Sequence, residues 1–301
     1  MPSPMSLPLR IGEQGAGHAP LAPFLRFSTL WVQITGTWCN LECTHCLNAS
    51  GPAEPWLKPI RPEVARDAIR QAEELGVKEI YFTGGEPFLH GDILPLLGFA
   101  LQAAPTTVLT NGTLIDASVA DELAALASAA PYSLEVRVSV DDTDPQRNDG
   151  VRGTGVFDRA MSAVLLLHQR GLLPIVTATE IARRDDADGR GMYERFRDFL
   201  VSRGIEKPRV KIMPVFALGR LARTGGPVLS EEDLVGFDRG TLQCAESRVV
   251  ADGGVYACPI LAGLPGARLS DGGIEASFRD ASLYHSSCVT CYQTGMTCKN
   301  G

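Results

Sequence analysis

Residues 30–46 read Leu30-Trp31-Val32-Gln33-Ile34-Thr35-Gly36-Thr37-Trp38-Cys39-Asn40-Leu41-Glu42-Cys43-Thr44-His45-Cys46. The apolar run from Leu30 to Thr35 reads as a β-strand, so three thiols at C-x3-C-x2-C spacing lie in the loop at its end. Thiols so spaced can each take one iron of a cubane cluster and leave one iron without a protein ligand. Four-cysteine ferredoxin runs close every iron position, because electron transfer needs no vacancy. An open iron at a strand end is instead a place where a small molecule can be ligated and reduced. A C-x2-C pair on its own is more often a zinc knuckle or a redox dithiol. His45 lies inside the motif, where it could hardly close the same tetrahedron.

Outward from this stretch the pattern alternates regularly. Strand candidates lie near 31–35, 78–83, 106–110, 134–140, 174–180 and 209–216. Between them come helical stretches from Pro62 to Leu75, Ile93 to Gln102, Ser118 to Ala129, Phe157 to Arg170 and Met192 to Arg203. Pro62 at a first-turn position and Gly76 just past the end punctuate the first of these. Such alternation predicts parallel strands joined by crossover helices. Six units are too few for a closed eight-fold barrel, and periodicity alone does not separate an open barrel from a doubly wound sheet.

Three further runs follow in order: Tyr81-Phe82-Thr83-Gly84-Gly85-Glu86-Pro87, Val108-Leu109-Thr110-Asn111-Gly112-Thr113-Leu114 and Val138-Ser139-Val140-Asp141-Asp142. Together with the triple cysteine, the chain resembles the radical S-adenosylmethionine (radical SAM) enzymes over roughly residues 28–216. The resemblance implies an α/β fold, an open partial (β/α)6 barrel. In such barrels the chemistry sits at the C-terminal strand ends, where all of these motifs fall.

The resemblance also implies roles. Cys39, Cys43 and Cys46 would hold three irons of a 4Fe–4S cluster, with the methionyl amine and carboxylate of SAM on the fourth. Reductive cleavage of SAM would then yield a 5′-deoxyadenosyl radical. His45 occupies the slot near the adenine. Gly84 and Gly85, lacking Cβ, would let the backbone approach the methionine moiety. Glu86 would accept from the α-ammonium of SAM, or else serve as a helix-entry carboxylate. Asn111 is a further candidate for binding SAM, although Asn-Gly is also an ordinary turn. Ser139 and Asp141 could bond the ribose or the carboxylate. Arg152 would pair with the SAM carboxylate, its alternative being a solvated loop arginine. Thr177 and Thr179 share a strand face, so both line the interior or neither does.

Composition narrows the rest. At 301 residues and 45% hydrophobic content the chain can bury one large core and a smaller appendage. A net charge of −7 without a basic run argues against nucleic-acid partners. The N-terminus lacks the build of a signal peptide, and no apolar run reaches membrane-spanning length. Three of the eight cysteines sit together and five lie from Cys244 onward, which suits two iron–sulfur sites in a reducing cytoplasm. The expected division is a lead-in over 1–27, the barrel over 28–217, a linker over 218–230 and a cysteine-rich tail over 231–301. Ser230-Glu231-Glu232-Asp233 reads as a short helix start, and Arg248 to Ala257 as a hairpin turning at Asp252-Gly253.

The tail resembles the SPASM and twitch extensions of radical SAM enzymes, and is closer to the shorter twitch type. One auxiliary 4Fe–4S cluster is expected there, on Cys244, Cys258, Cys288 and Cys291 or on Cys258, Cys288, Cys291 and Cys298. An all-cysteine zinc site has the same ligand count. The spare thiol, Cys244 or Cys298, would be a hydrogen-atom donor or an inert buried group. The expected activity is C–H abstraction from a small polar natural-product intermediate, such as an aminocyclitol or aminoglycoside of antibiotic biosynthesis, ending in epimerisation or dehydrogenation. An external one-electron reductant such as flavodoxin or ferredoxin would supply the electron. The alternatives are maturation of a ribosomally made peptide, with any leader-binding domain supplied by a separate protein, and non-catalytic iron–sulfur or zinc binding.

Overall fold

The computed structural model describes residues 19–53, 55–180, 191–222 and 226–295. Six parallel strands linked by crossovers run through one sheet: β2 (Thr29–Gln33), β3 (Glu79–Thr83), β4 (Thr106–Thr110), β5 (Leu134–Ser139), β6 (Ile175–Thr179) and β7 (Arg209–Met213). They neighbour one another in chain order, and five helices cross between them. These are α1 (Pro62–Glu74), α2 (Ile93–Ala103), α3 (Ala117–Ala129), α5 (Val156–Gln169) and α6 (Met192–Ser202). Strands and helices fall where the periodicity places them, giving the open α/β barrel that the resemblance implies.

Each strand divides its side chains between two apolar layers, because alternate residues point to opposite faces. Leu30, Val32, Ile80, Phe82, Val108 and Val138 share one buried cluster with Ile69, Leu96, Leu97, Phe157 and Leu167 of the helices. Trp31 and Tyr81 face the other way and stack with ring centroids 4.3 Å apart. They form the inner layer together with Val249, Tyr256 and Leu261 from the tail.

The tail joins the same sheet. β8 (Ser247–Ala251) and β9 (Gly254–Tyr256) make the expected hairpin, and β10 (Arg268–Ser270) pairs with β9. β8 lies parallel to β2, with Thr29 opposite Ser247 and Val32 opposite Val250. The described part of the lead-in, from residue 19, is tied down as well. β1 (Leu21–Ala22) pairs with β11 (Ala281–Ser282), and Phe24 stacks on Phe278.

Among the described residues two α-helices have no counterpart in the sequence reading. α4 (Pro145–Arg152) starts where the Asp144 side chain accepts from the Arg147 amide, with Pro145 in the first turn. Its eight residues are mostly polar, so they carry little apolar period. α7 (Ser286–Thr294) opens with His285 Nδ1 accepting from the Ser287 amide. The expected helix start at Ser230 is instead a run of turns, in which Asp233 accepts from both the amide and the hydroxyl of Ser230. Among the described residues no helix is long and apolar enough to cross a membrane.

Candidate active site

A cavity of about 250 Å³ opens at the C-terminal ends of the parallel strands. Cys39, Cys43 and Cys46 line it from the loop after β2, with Gly84 and Gly85 beside them. The two glycines are required by the protein's own packing. A Cβ on Gly84 would lie 2.1 Å from Thr35 Oγ1, and one on Gly85 would lie 2.1 Å from the Trp38 carbonyl and 2.8 Å from Cys39 Cβ. The turn after β3 is thereby pressed against the cysteine loop.

Two of the thiols receive amide hydrogens. The Leu41 amide donates to Cys39 Sγ at 3.4 Å and the Ser50 amide to Cys46 Sγ at 3.3 Å. Burial pushes the Cys39 thiol up to about 12, against the pull of that Leu41 amide. Burial also raises Cys43, partly opposed by Arg152. Without a metal these two thiols are therefore protonated at neutral pH, and ligating iron would release their protons. Among the described residues, no three His, Cys, Asp or Glu side chains converge closely enough to share one metal ion.

Glu86 is fully buried, and the described hydrogen bonds engage both of its oxygens. Oε1 accepts from Thr110 Oγ1 at 2.7 Å and from the Phe88 amide at 3.1 Å, while Oε2 accepts from the Asn111 amide at 2.7 Å. The Phe88 bond is the helix-entry cap that the sequence reading held as the alternative. Burial raises the carboxyl to about 7 even though these three donors favour its charge. Asn111 carries the connection onward. Its Nδ2 donates to Asn40 Oδ1 at 2.9 Å and lies 3.8 Å from Cys39 Sγ, and its Oδ1 accepts from the amide and hydroxyl of Thr113. A carboxylate after β3 thus orients the loop after β4, which in turn braces the first cysteine.

Beside the cysteine loop Asp141 is the hub. Its Oδ2 lies 2.7 Å from Arg152 Nε and 3.2 Å from His45 Nε2, and its Oδ1 accepts from the Thr179 amide at 2.9 Å. Arg152 ends α4 and is enclosed rather than solvated. Burial opposes its charge, but Asp141 and the nearby thiols outweigh that and raise its pKa. Burial lowers the His45 pKa against the pull of Asp141, so the ring is neutral at pH 7. Ser139, Thr177 and Thr179 all line the cavity, so the two threonines face the interior.

The tail brings Cys244, Cys258, Cys288 and Cys291 around a second, smaller cavity. Cys244 precedes β8 and Cys258 follows β9, so the hairpin sets these two side by side. α7 presents Cys288 and Cys291 three residues apart on one face. Burial raises Cys244, Cys258 and Cys288, the last to about 12. The Arg248 guanidinium donates to the Cys244, Ser247, Ser277 and Arg279 carbonyls and lies 4.0 Å over the Phe24 ring. Ile260 borders both cavities. Cys298 lies outside the described residues.

Asn40, Arg220 and Arg248 escaped the sequence reading. Arg220 sits in a Gly- and Arg-rich run that reads as a linker, and nothing local marks it. Its N–H groups hold the carbonyls of Cys43, Cys46 and Ser50.

The comparisons with known proteins agree with this geometry. The Radical SAM superfamily profile matches residues 34–182. Mycofactocin maturase MftC of Mycobacterium tuberculosis is 30% identical over 290 residues, covering 82% of this chain and 69% of the relative. AdoMet-dependent heme synthase of Nitratidesulfovibrio vulgaris is 30% identical over 136 residues, covering 44% of this chain and 35% of the relative. The crystal structure of Streptococcus suis SuiB bound to S-adenosylmethionine shares the fold with a TM-score of 0.65 at 17% identity, covering 87% of this chain and 68% of that one. The three-thiol loop after β2, the Gly-Gly-Glu turn after β3 and these matches lead to one assignment: the chain belongs to the radical SAM superfamily.

Proposed function

We propose that this protein is a radical SAM enzyme that modifies a peptide, with an oxidative outcome. Superfamily membership implies one 4Fe–4S cluster and SAM. The site suits them. Three thiols line one cavity beside the Gly84-Gly85 turn, and His45 Nδ1 and Thr177 Oγ1 are buried there without a hydrogen-bond partner among the described residues. Cys39, Cys43 and Cys46 would hold the cluster, which with SAM would supply a 5′-deoxyadenosyl radical, and Cys244, Cys258, Cys288 and Cys291 would hold a second cluster that would supply an electron acceptor.

The chain's own residues prepare the cavity. Glu86, Thr110 and Asn111 hold the first cysteine in place. Asp141 fixes His45 and Arg152 beside the cysteine loop. Trp31, Leu109, Met213 and Phe216 give the cavity an apolar lining that limits water.

The relatives favour a peptide over the small polar natural product expected from sequence. MftC is named a maturase, and SuiB has been crystallised with its precursor peptide SuiA. One observation carries the oxidative outcome: Ile260 is a wall of both cavities, so an acceptor on the tail cysteines would face the substrate space across one side chain. Epimerisation would need a thiol donor instead. The electron that starts the reaction would come from a flavodoxin or ferredoxin.

The test is anaerobic reconstitution, reduction with dithionite, and incubation with SAM and peptides encoded beside the gene. Formation of 5′-deoxyadenosine with a peptide product two mass units lighter supports the reading. Uptake of one solvent deuterium without mass loss would point to epimerisation. Absence of 5′-deoxyadenosine would remove the enzymatic reading altogether.

A further inference from the structure

Resting on the reading of Cys39, Cys43 and Cys46 as cluster ligands, we infer that Arg220, from the segment linking barrel and tail, is a positioning residue that locks the cysteine loop in its ligating shape and sets the charge beside it. The contacts are specific. Arg220 Nη1 donates to the Cys43 carbonyl at 3.0 Å, Nη2 to the Ser50 carbonyl at 2.6 Å, and the backbone amide to the Cys46 carbonyl at 3.0 Å. One residue thus holds three carbonyls of the loop, two of them on cysteines. A planar guanidinium can span two such acceptors at fixed spacing, and a lysine ammonium cannot.

The backbone here is as constrained as the side chain. Gly219 has φ +59, and a Cβ on it would lie 2.2 Å from the Cys46 carbonyl and 2.4 Å from that of Leu47. The linker therefore docks on the loop by close backbone approach, and only glycine fits there. Leu218 beside it is buried in the inner layer, and Leu221 lines the cavity.

Two consequences follow. A loop whose carbonyls are held in place loses less entropy when its thiols take up iron, so affinity should depend on the staple. The Arg220 cation also lies against a loop that becomes anionic on ligation, and local charge tunes cluster potentials. Its pairing with Glu42 is loose, at 3.8 Å, so the loop carbonyls are its main partners.

The experiment compares reconstituted wild type with Arg220→Gln, Arg220→Lys, Gly219→Ala and the triple variant C39A/C43A/C46A. The triple variant identifies which iron belongs to the barrel loop. Chelator competition should show Arg220→Gln binding that iron about 10- to 100-fold more weakly, the range for losing a partner that orients a metal ligand. Its SAM-sensitive reduced-cluster EPR signal should appear at a lower potential than in wild type. Arg220→Lys should bring the potential back towards wild type while restoring affinity only in part. A role confined to fold stability would leave the potential unmoved at equal iron content.

Wild-type affinity and potential in Arg220→Gln would overturn the inference, as would equal weakening of the tail iron. If Arg220→Gln does not fold, Gly219→Ala decides, since it displaces the staple and keeps the cation. Loss of barrel iron in Gly219→Ala supports the inference, and full retention rejects it. Should wild type hold no more iron than the triple variant, the three-thiol reading itself fails, a result distinct from either.

Discussion

Asp141 Oδ2 lies 2.7 Å from Arg152 Nε, joining the end of β5 to the last turn of α4 inside the cavity wall. Both side chains are almost entirely enclosed, with 2% and 8% of their surface exposed. A buried pair of this kind is costly to break from one side, because the surviving charge has nowhere to go.

Asp141→Asn should therefore destabilise the cofactor-free protein by about 3–5 kcal/mol, seen as a lower denaturant midpoint. Replacing Arg152 by Met in the same chain should recover much of that loss. If the double variant is no more stable than Asp141→Asn, the pair is not the source of the cost.

Glu86 makes a pH prediction. Its folded-state pKa, raised by burial to about 7, lies above the ordinary 4.5. The folded state therefore holds a proton that the unfolded state releases between these values. Glu86 thus lowers stability as pH rises from about 4.5 to about 7, with no further change above. Glu86→Gln lacks this titration, so wild type should lose stability relative to the variant across that window. Unfolding of both proteins from pH 5 to 8, with the gap between them constant, would show that Glu86 ionises normally.

Asp149 should behave in the opposite sense. Slight burial works against its charge, but the Phe157 and Gly155 amides it accepts at the start of α5 outweigh that and lower its pKa. Its stabilisation is present above the ordinary carboxylate pKa and is lost as pH falls through the lowered one. Asp149→Ala should cost about 0.5–2 kcal/mol at pH 7, the usual loss for a helix cap. The two proteins should converge in acid, which thermal melts between pH 2.5 and 7 would reveal.

Iron content tests the tail. Reconstituted wild type should bind about eight irons, four at each site. Cys258→Ala should lose the tail share and keep the barrel share, whereas Cys298→Ala should keep both. A loss of tail iron in Cys298→Ala, with Cys244→Ala unaffected, would transfer the ligand role to Cys298.

Much of this was open to reading from the chain, and the reason is periodicity. Strands such as Glu79–Thr83 and helices such as Pro62–Glu74 announce themselves by apolar spacing and by end punctuation, both local properties. The cysteine spacing and the Gly-Gly-Glu run are equally local, so chemistry and family could be named from them. α4 went unseen because eight mostly polar residues leave almost no apolar period, although Asp144-Pro145 marks its start.

Contacts between distant segments lay beyond the sequence, because side-chain partners are chosen by packing and not by spacing. Glu86 bonds Thr110 and Asn111 across a whole helix of intervening chain, and His45 meets Asp141 only because β2 and β5 share one sheet rim. Arg220 looks like linker composition until the chain folds back and sets it on the cysteine loop. The amino-acid order by itself determined alternating strands and helices with three thiols poised at a strand end, and the family resemblance made of them an open barrel. Only tertiary structure decided which carboxylate orients the site, which arginine is paired, and that Ile260 borders both the barrel cavity and the cavity of the tail cysteines, since burial and desolvation arise only once the layers close.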